Sequence, residues 1–223
     1  MLHNNIWIPP KRTTASRLPP RRSAASCCGS VICHRQNREL VFESLLERDL
    51  VQMAMANREV AHIQDQPPAV SFVARDGRTR KHVFDFLLTM VSGRKVAIAV
   101  KPSARLASGK LQDVVRRIAA SDSGKRFADE FRILTEREIT RSRAENARLI
   151  LRARLLRNEE DVRRLARHAS SHIGPVRVAE LLAAYQPFGR GFNALVNLVD
   201  EGVVKLVSKG VLGRASEVVW KGR

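Results

Sequence analysis

The chain has 223 residues, 44% of them hydrophobic, and sets 40 lysines and arginines against 22 acids for a formal charge of +18 and a pI of 11.2. That apolar share excludes a wholly disordered chain, and the length allows one large domain or two small ones. The charge exceeds what solubility needs and is carried mostly by arginine, so the first expectation is a polyanionic partner such as nucleic acid.

No apolar run is long enough to span a bilayer, and no apolar stretch follows the first charges as a secretory signal requires. The expectation is a cytoplasmic protein without a membrane partner. Three cysteines, an odd number, give no disulfide framework. Cys27 and Cys28 are adjacent, so with Cys33 and His34 they are poorly spaced for a tetrahedral zinc site and read as free thiols.

In chain order, residues 1–38 carry Lys11, Arg12, Arg17, Arg21, Arg22, Arg35 and Arg38, no acid, and two proline pairs. This predicts a flexible basic arm, with Arg12, Arg21 and Arg22 on a phosphate backbone. An organellar transit peptide shares this bias, but the prolines oppose its amphipathic helix. Residues 39–56 take a helical rhythm, with Leu40, Phe42, Leu45, Leu46, Leu50 and Met53 as the apolar face. "REVAHIQDQPP" runs to a proline stop. "AVSFVA", "RDGR" and "KHVFDFLLTMV" predict strand, turn and strand, and "KVAIAV" a further strand after an "SGR" turn. "SGKLQDVVRRIAAS" predicts a helix with Leu111, Val114, Val115 and Ile118 on one face, and "FRILT" a last short strand. Residues 39–140 therefore read as an α/β unit. A basic linker helix is expected over 141–158. Residues 159–223 read as three helices and a β-hairpin turning at "SKG", the order of a winged helix-turn-helix. Arg190, Asn193 and Asn197 lie off the apolar stripe of its third helix and are the candidates to face a DNA groove.

Asp85 stands between bulky apolar residues in "VFDFLL", where an unpaired carboxylate is costly. Lys101 ends the next strand, within reach across a tight hairpin. Glu43 is expected on or beside the apolar face of the preceding helix, with Glu47 one turn later. Carboxylates converging near a lysine suit a hard divalent cation, Mg²⁺ or Mn²⁺, that activates water for phosphoryl chemistry. The plainer alternative keeps Glu43 solvated, Asp85 paired with an arginine and Lys101 at a sheet edge.

"RQNRELVFESLLERDL", "QDQPPAVSF", "DGRTRKHVFDF", "VAIAVKPS" and "FRILTEREI", in this order over about residues 36–140, resemble TnsA-type endonucleases of the PD-(D/E)XK nuclease superfamily. The resemblance implies a restriction-endonuclease-like mixed sheet followed by a winged-helix part, metal-dependent cleavage of duplex DNA in transposition, and a transposase or other protein partner. It implies Glu43, Asp85 and Lys101 as the catalytic residues, and Glu43, Asp85 and a backbone carbonyl near Val100 as metal ligands. The family's Glu or Gln before the lysine is here Ala99, which offers no side-chain donor, and the proline before the aspartate is Phe84. A catalytically impaired DNA-binding regulator or scaffold is therefore the second reading, and an RNA-binding protein, on charge alone, the third.

Side chains alternate across a strand, so the hairpin register tests this site. A three-residue loop, Ser92-Gly93-Arg94, places Asp85 opposite Lys101 with Ala99 on the same face. An odd loop or a β-bulge is thus expected, with Glu43 reaching over the group.

Overall fold

The computed structural model describes residues 2, 3, 6–17 and 27–222. The chain forms two compact units, residues 1–140 and 141–223. The boundary leaves the expected linker helix inside the second unit.

The first unit opens with a small antiparallel pair, β1 (Leu2–His3) and β2 (Ile6–Trp7). A hairpin follows, β3 (Gly29–Cys33) with β4 (Arg38–Phe42), whose turn uses Asn37 at φ 44. Asparagine tolerates that left-handed geometry because its short side chain bonds locally. The expected arm is thus partly strand, and residues 38–42 are strand rather than helix. Leu40 and Phe42 satisfy both periods, and pairing with β3 decides between them.

The helix α1 (Leu45–Ala56) begins only after Ser44. Ser44 Oγ accepts the Glu47 N–H at 3.2 Å. Glu47 in return accepts the Ser44 hydroxyl at 2.9 Å and the Glu43 N–H at 2.7 Å. This reciprocal cap fixes the start of the helix.

Strand β5 (Val60–Asp65) runs through the segment read as a proline-stopped stretch. "AVSFVA" supplies β6 (Val70–Val73), which pairs with β7 (Thr79–His82) as a separate hairpin. The main sheet continues with β8 (Phe86–Met90) and β9 (Lys95–Val100). Helices α2 (Lys110–Ala120) and α3 (Asp122–Phe127) then lead to β10 (Glu130–Leu134). The sheet order is β10-β9-β8-β5, with β10 parallel to β9 and the other pairs antiparallel. This is a mixed α/β, nuclease-like core. Phe84, Val70, Phe72, Ala97, Ala99, Val115, Ile118 and Ala128 form one buried cluster of it.

The second unit contains α4 (Arg141–Leu155), α5 (Glu159–Ser170), β11 (Val176–Arg177), α6 (Val178–Leu181) and α7 (Phe188–Asp200). Strands β12 (Val204–Leu206) and β13 (Glu217–Trp220) complete it, in an antiparallel sheet of order β11-β13-β12. The expected middle helix is a two-residue strand and one helical turn. The expected "SKG" turn is part of a longer connection, residues 207–216. Leu165, Leu181, Leu182, Leu195 and Leu198 are almost wholly buried in this core.

Candidate functional site

Phe86 pairs with Ile98 in the β8–β9 ladder, and the Asp85 N–H also donates to the Ile98 carbonyl, at 3.0 Å. Two residues facing one make a β-bulge, which re-aims side chains out of strict alternation. Phe84 accordingly turns into the buried cluster. The Asp85 carboxylate takes a ladder position instead, its Oδ2 accepting the Val100 N–H at 2.7 Å. The hairpin loop has three residues, as expected, but they are Val91-Ser92-Gly93. The Met90 N–H closes the loop on the Arg94 carbonyl at 2.8 Å, and Gly93 takes φ 85. A glycine with positive φ at the third loop position accounts for the one-residue difference. With Asp85 and Phe86 both on Ile98, Asp85 does not stand opposite Lys101 as expected.

Burial pushes the Asp85 carboxyl up to about 7, with the Glu47 charge next and Glu43 also raising it; the Val100 N–H and Lys101 oppose the rise. Burial likewise raises Glu47, against the hydrogen bonds from the Glu43 N–H and the Ser44 hydroxyl. Arg17 also acts on Glu47, and its Nη2 contacts Glu43 Oε2 at 2.9 Å and Gln66 Oε1 at 3.3 Å. His82 is lowered by burial and by Lys101. Asp85, Glu47, Glu43, Lys101 and Arg17 therefore share one electrostatic neighbourhood.

Several expected roles change. Glu43 precedes the helix cap and pairs with Arg17; it is not on α1. The helix carboxylate that bears most on Asp85 is Glu47, which is buried. Its signal was the Ser44-x-x-Glu47 spacing of a capping box, which also marks the helix start. Asp65 is buried, its Oδ2 accepting the Thr13 hydroxyl at 2.6 Å and the Val41 N–H at 2.7 Å. Gln66 is buried at φ 40, and its Nε2 has no partner.

The residues present do not complete an oxygen cage for Mg²⁺ or Mn²⁺. Both Glu47 oxygens already accept hydrogen bonds, Asp85 Oδ2 holds the Val100 N–H, and Glu43 Oε2 holds Arg17. Ala99 is 3% exposed within an apolar cluster and adds no donor. Among the described residues no three His, Cys, Asp or Glu side chains group as a metal-binding set.

The expected groove-facing residues of α7 are engaged by partners within the second unit. Arg190 makes two hydrogen bonds to Asp161, at 2.9 and 3.0 Å. Asn193 donates to the Leu156 carbonyl at 2.8 Å. Asn197 is buried and donates to the carbonyls of Ala153 (3.1 Å) and Asn193 (2.9 Å). These bonds tie α7 to α5 and to the end of α4, and they leave Asn197 buried and Asn193 half-buried. Arg12 is exposed. Arg21 and Arg22 lie outside the described residues.

Among the described residues no helix is long and apolar enough to cross a membrane. No curated protein matches the chain. A family model, TnsA-like endonuclease N terminal, matches residues 57–136. The match takes in Asp85, Ala99 and Lys101 and stops short of Glu43, Glu47 and the second unit. The match spans 80 of the 223 residues, and over that span, with its mixed sheet, the chain is similar to a TnsA-like endonuclease N-terminal domain.

Proposed function

We propose that this chain is a DNA-binding protein built on a TnsA-like nuclease fold with an impaired hydrolytic centre, acting as a regulator or scaffold beside a transposase. The observation that carries this reading is Ala99. Its methyl group is buried among apolar side chains where the resemblance calls for an oxygen donor. A hard divalent ion takes about six oxygen ligands, and a site with few protein ligands weakens with each one lost. The charge of +18 supports a polyanionic substrate surface. The order α5, β11, α6, α7, β12, β13 supports a winged-helix second unit, with residues 207–216 as the wing.

What remains of the centre still has chemical character. Burial raises Asp85 to about 7 and raises Glu47 as well, and Lys101 supplies a positive charge beside Asp85. A cation would relieve that strain between acids, and this favours a second reading, a Mn²⁺-dependent endonuclease of TnsA-like type. Supercoiled-plasmid nicking with Mg²⁺ and with Mn²⁺, run beside a duplex-DNA mobility shift, separates the two. The expected result is a shifted duplex and no nicking with either metal. Nicking with Mn²⁺ that Asp85→Asn abolishes establishes the endonuclease instead. Nicking gained by Ala99→Glu shows that the centre lacks only that ligand. A chain that does not retain duplex DNA overturns both readings.

A further inference from the structure

With α7 committed to packing, the contact to DNA in the second unit must come from cations that the fold has not neutralised. Four arginines are spent on acids: Arg148 on Glu145 (3.0 Å), Arg154 on Asp200 (2.7 Å), Arg157 on Glu201 (2.7 Å) and Arg190 on Asp161 (2.9 Å). Helix α5 is different. Val162, Leu165 and Ala169 turn inward at helical spacing, while Arg163, Arg164, Arg167 and His168 are exposed. Among the described residues, Arg164 and Arg167 make no ion pair. The nearby Glu159 and Asp161 are already held by Arg157 and Arg190.

Arg164 lies over the Tyr185 ring, 4.8 Å from its centroid, which fixes the guanidinium in place. Tyr185 is 5% exposed, and its buried hydroxyl has no hydrogen-bond partner. Burial raises its pKa and the Asp161 charge adds to the rise, while the charges of Arg164 and Arg167 act in the other direction. Gly191 admits the ring: a Cβ there would stand 2.7 Å from Tyr185 Cβ. A buried hydroxyl without a partner is costly, and here it lies within the field of two free guanidinium groups. Among the described residues, Arg164 and Arg167 lack an acceptor and an ion-pair partner, and a phosphate oxygen provides both.

We propose that Arg164 and Arg167 form a binding site for a backbone phosphate of duplex DNA on the outer face of α5, with the buried Tyr185 ring seating Arg164. The site rests on the DNA-binding reading above and replaces α7 as the contact in this unit. The test is duplex binding by the full chain, followed by fluorescence anisotropy between 50 and 200 mM salt. Removing two phosphate contacts with Arg164→Gln plus Arg167→Gln lowers the salt slope by about 1.8, so affinity lost over that range shrinks about twelvefold. Tyr185→Phe keeps the ring under Arg164 and therefore the parent's salt slope, while thermal stability holds or rises, since the orphaned hydroxyl is gone. A double variant with the parent's slope overturns the site, whatever Tyr185→Phe does to folding. A parent that fails to bind duplex overturns the underlying reading itself. Inorganic phosphate bound by the parent and lost in the double variant, with duplex affinity unchanged, makes this a free-anion site and overturns the DNA assignment.

Discussion

Replacing Asp85 with asparagine removes the one carboxyl that the fold holds closest to neutrality. Asp85 stands at about 7 against an ordinary 3.8, so the folded state keeps its proton more tightly than the unfolded state does. For a raised acid, the stabilising contribution is fully present below 3.8 and is lost as pH rises to about 7. At roughly 1.4 kcal/mol per pH unit, the ionised side chain costs the fold about 4 kcal/mol above pH 7. Between pH 5.5 and 8 the parent therefore loses about 2 kcal/mol through this group alone. Asparagine does not ionise, and its amide oxygen can still accept the Val100 N–H. Urea unfolding at pH 5.5 and at pH 8 should show Asp85→Asn more stable at the higher pH, with that loss absent. His82 works in the opposite direction. Its lowered pKa adds stability as pH rises through 6.5, in parent and variant alike, so the difference between the two curves isolates Asp85. If parent and variant lose stability in parallel, Asp85 is ionised in the fold and the picture of a repulsive acid pair is wrong.

Ser44→Ala should cost about 1 kcal/mol by opening the helix cap. It also takes a hydrogen bond from Glu47, which carries the Glu47 carboxyl further above its ordinary range; a carboxyl titration by NMR reads this directly. Gly191→Ala should destabilise the second unit by about 1–3 kcal/mol, because overpacking against Tyr185 outweighs the helix preference for alanine. Thermal unfolding of that variant at or above the parent's temperature would show that the ring yields.

The strongly patterned segments could be read from sequence alone. "KVAIAV" is β9, "KLQDVVRRIAA" is α2, and the basic run from Arg141 is α4. Strand β5 was hidden because Ala61 and His62 are exposed and break its alternation before the prolines arrive. Strands β3 and β4 were hidden within arginines and cysteines that read as a tail, since long-range pairing rather than local propensity makes them strands. In the site, Asp85 was legible because an aspartate between bulky apolar residues needs an explanation. Glu47 is harder to single out, because Glu43, four residues earlier, fits the same helical rhythm until the Ser44 cap sets the helix start at Leu45. Asn193 and Asn197 looked free because their partners, on α4 and just beyond it, lie far upstream in the chain.

The segment from Lys11 to Arg17 changes what can be learned by shortening this protein. The Lys11 N–H donates to the Asn37 carbonyl, and its own carbonyl accepts the Glu39 N–H. The Ser16 N–H donates to the Gln66 carbonyl, and Thr13 holds Asp65. A truncation that strips the basic arm also removes these ties, and it leaves buried Asp65, whose Oδ1 already has no partner, with a single donor. A shortened chain that binds DNA poorly would thus confound lost charge with lost structure. Charge-erasing substitutions at Arg12, Arg21 and Arg22 in the intact chain avoid that ambiguity, because every backbone tie of residues 11–17 stays in place.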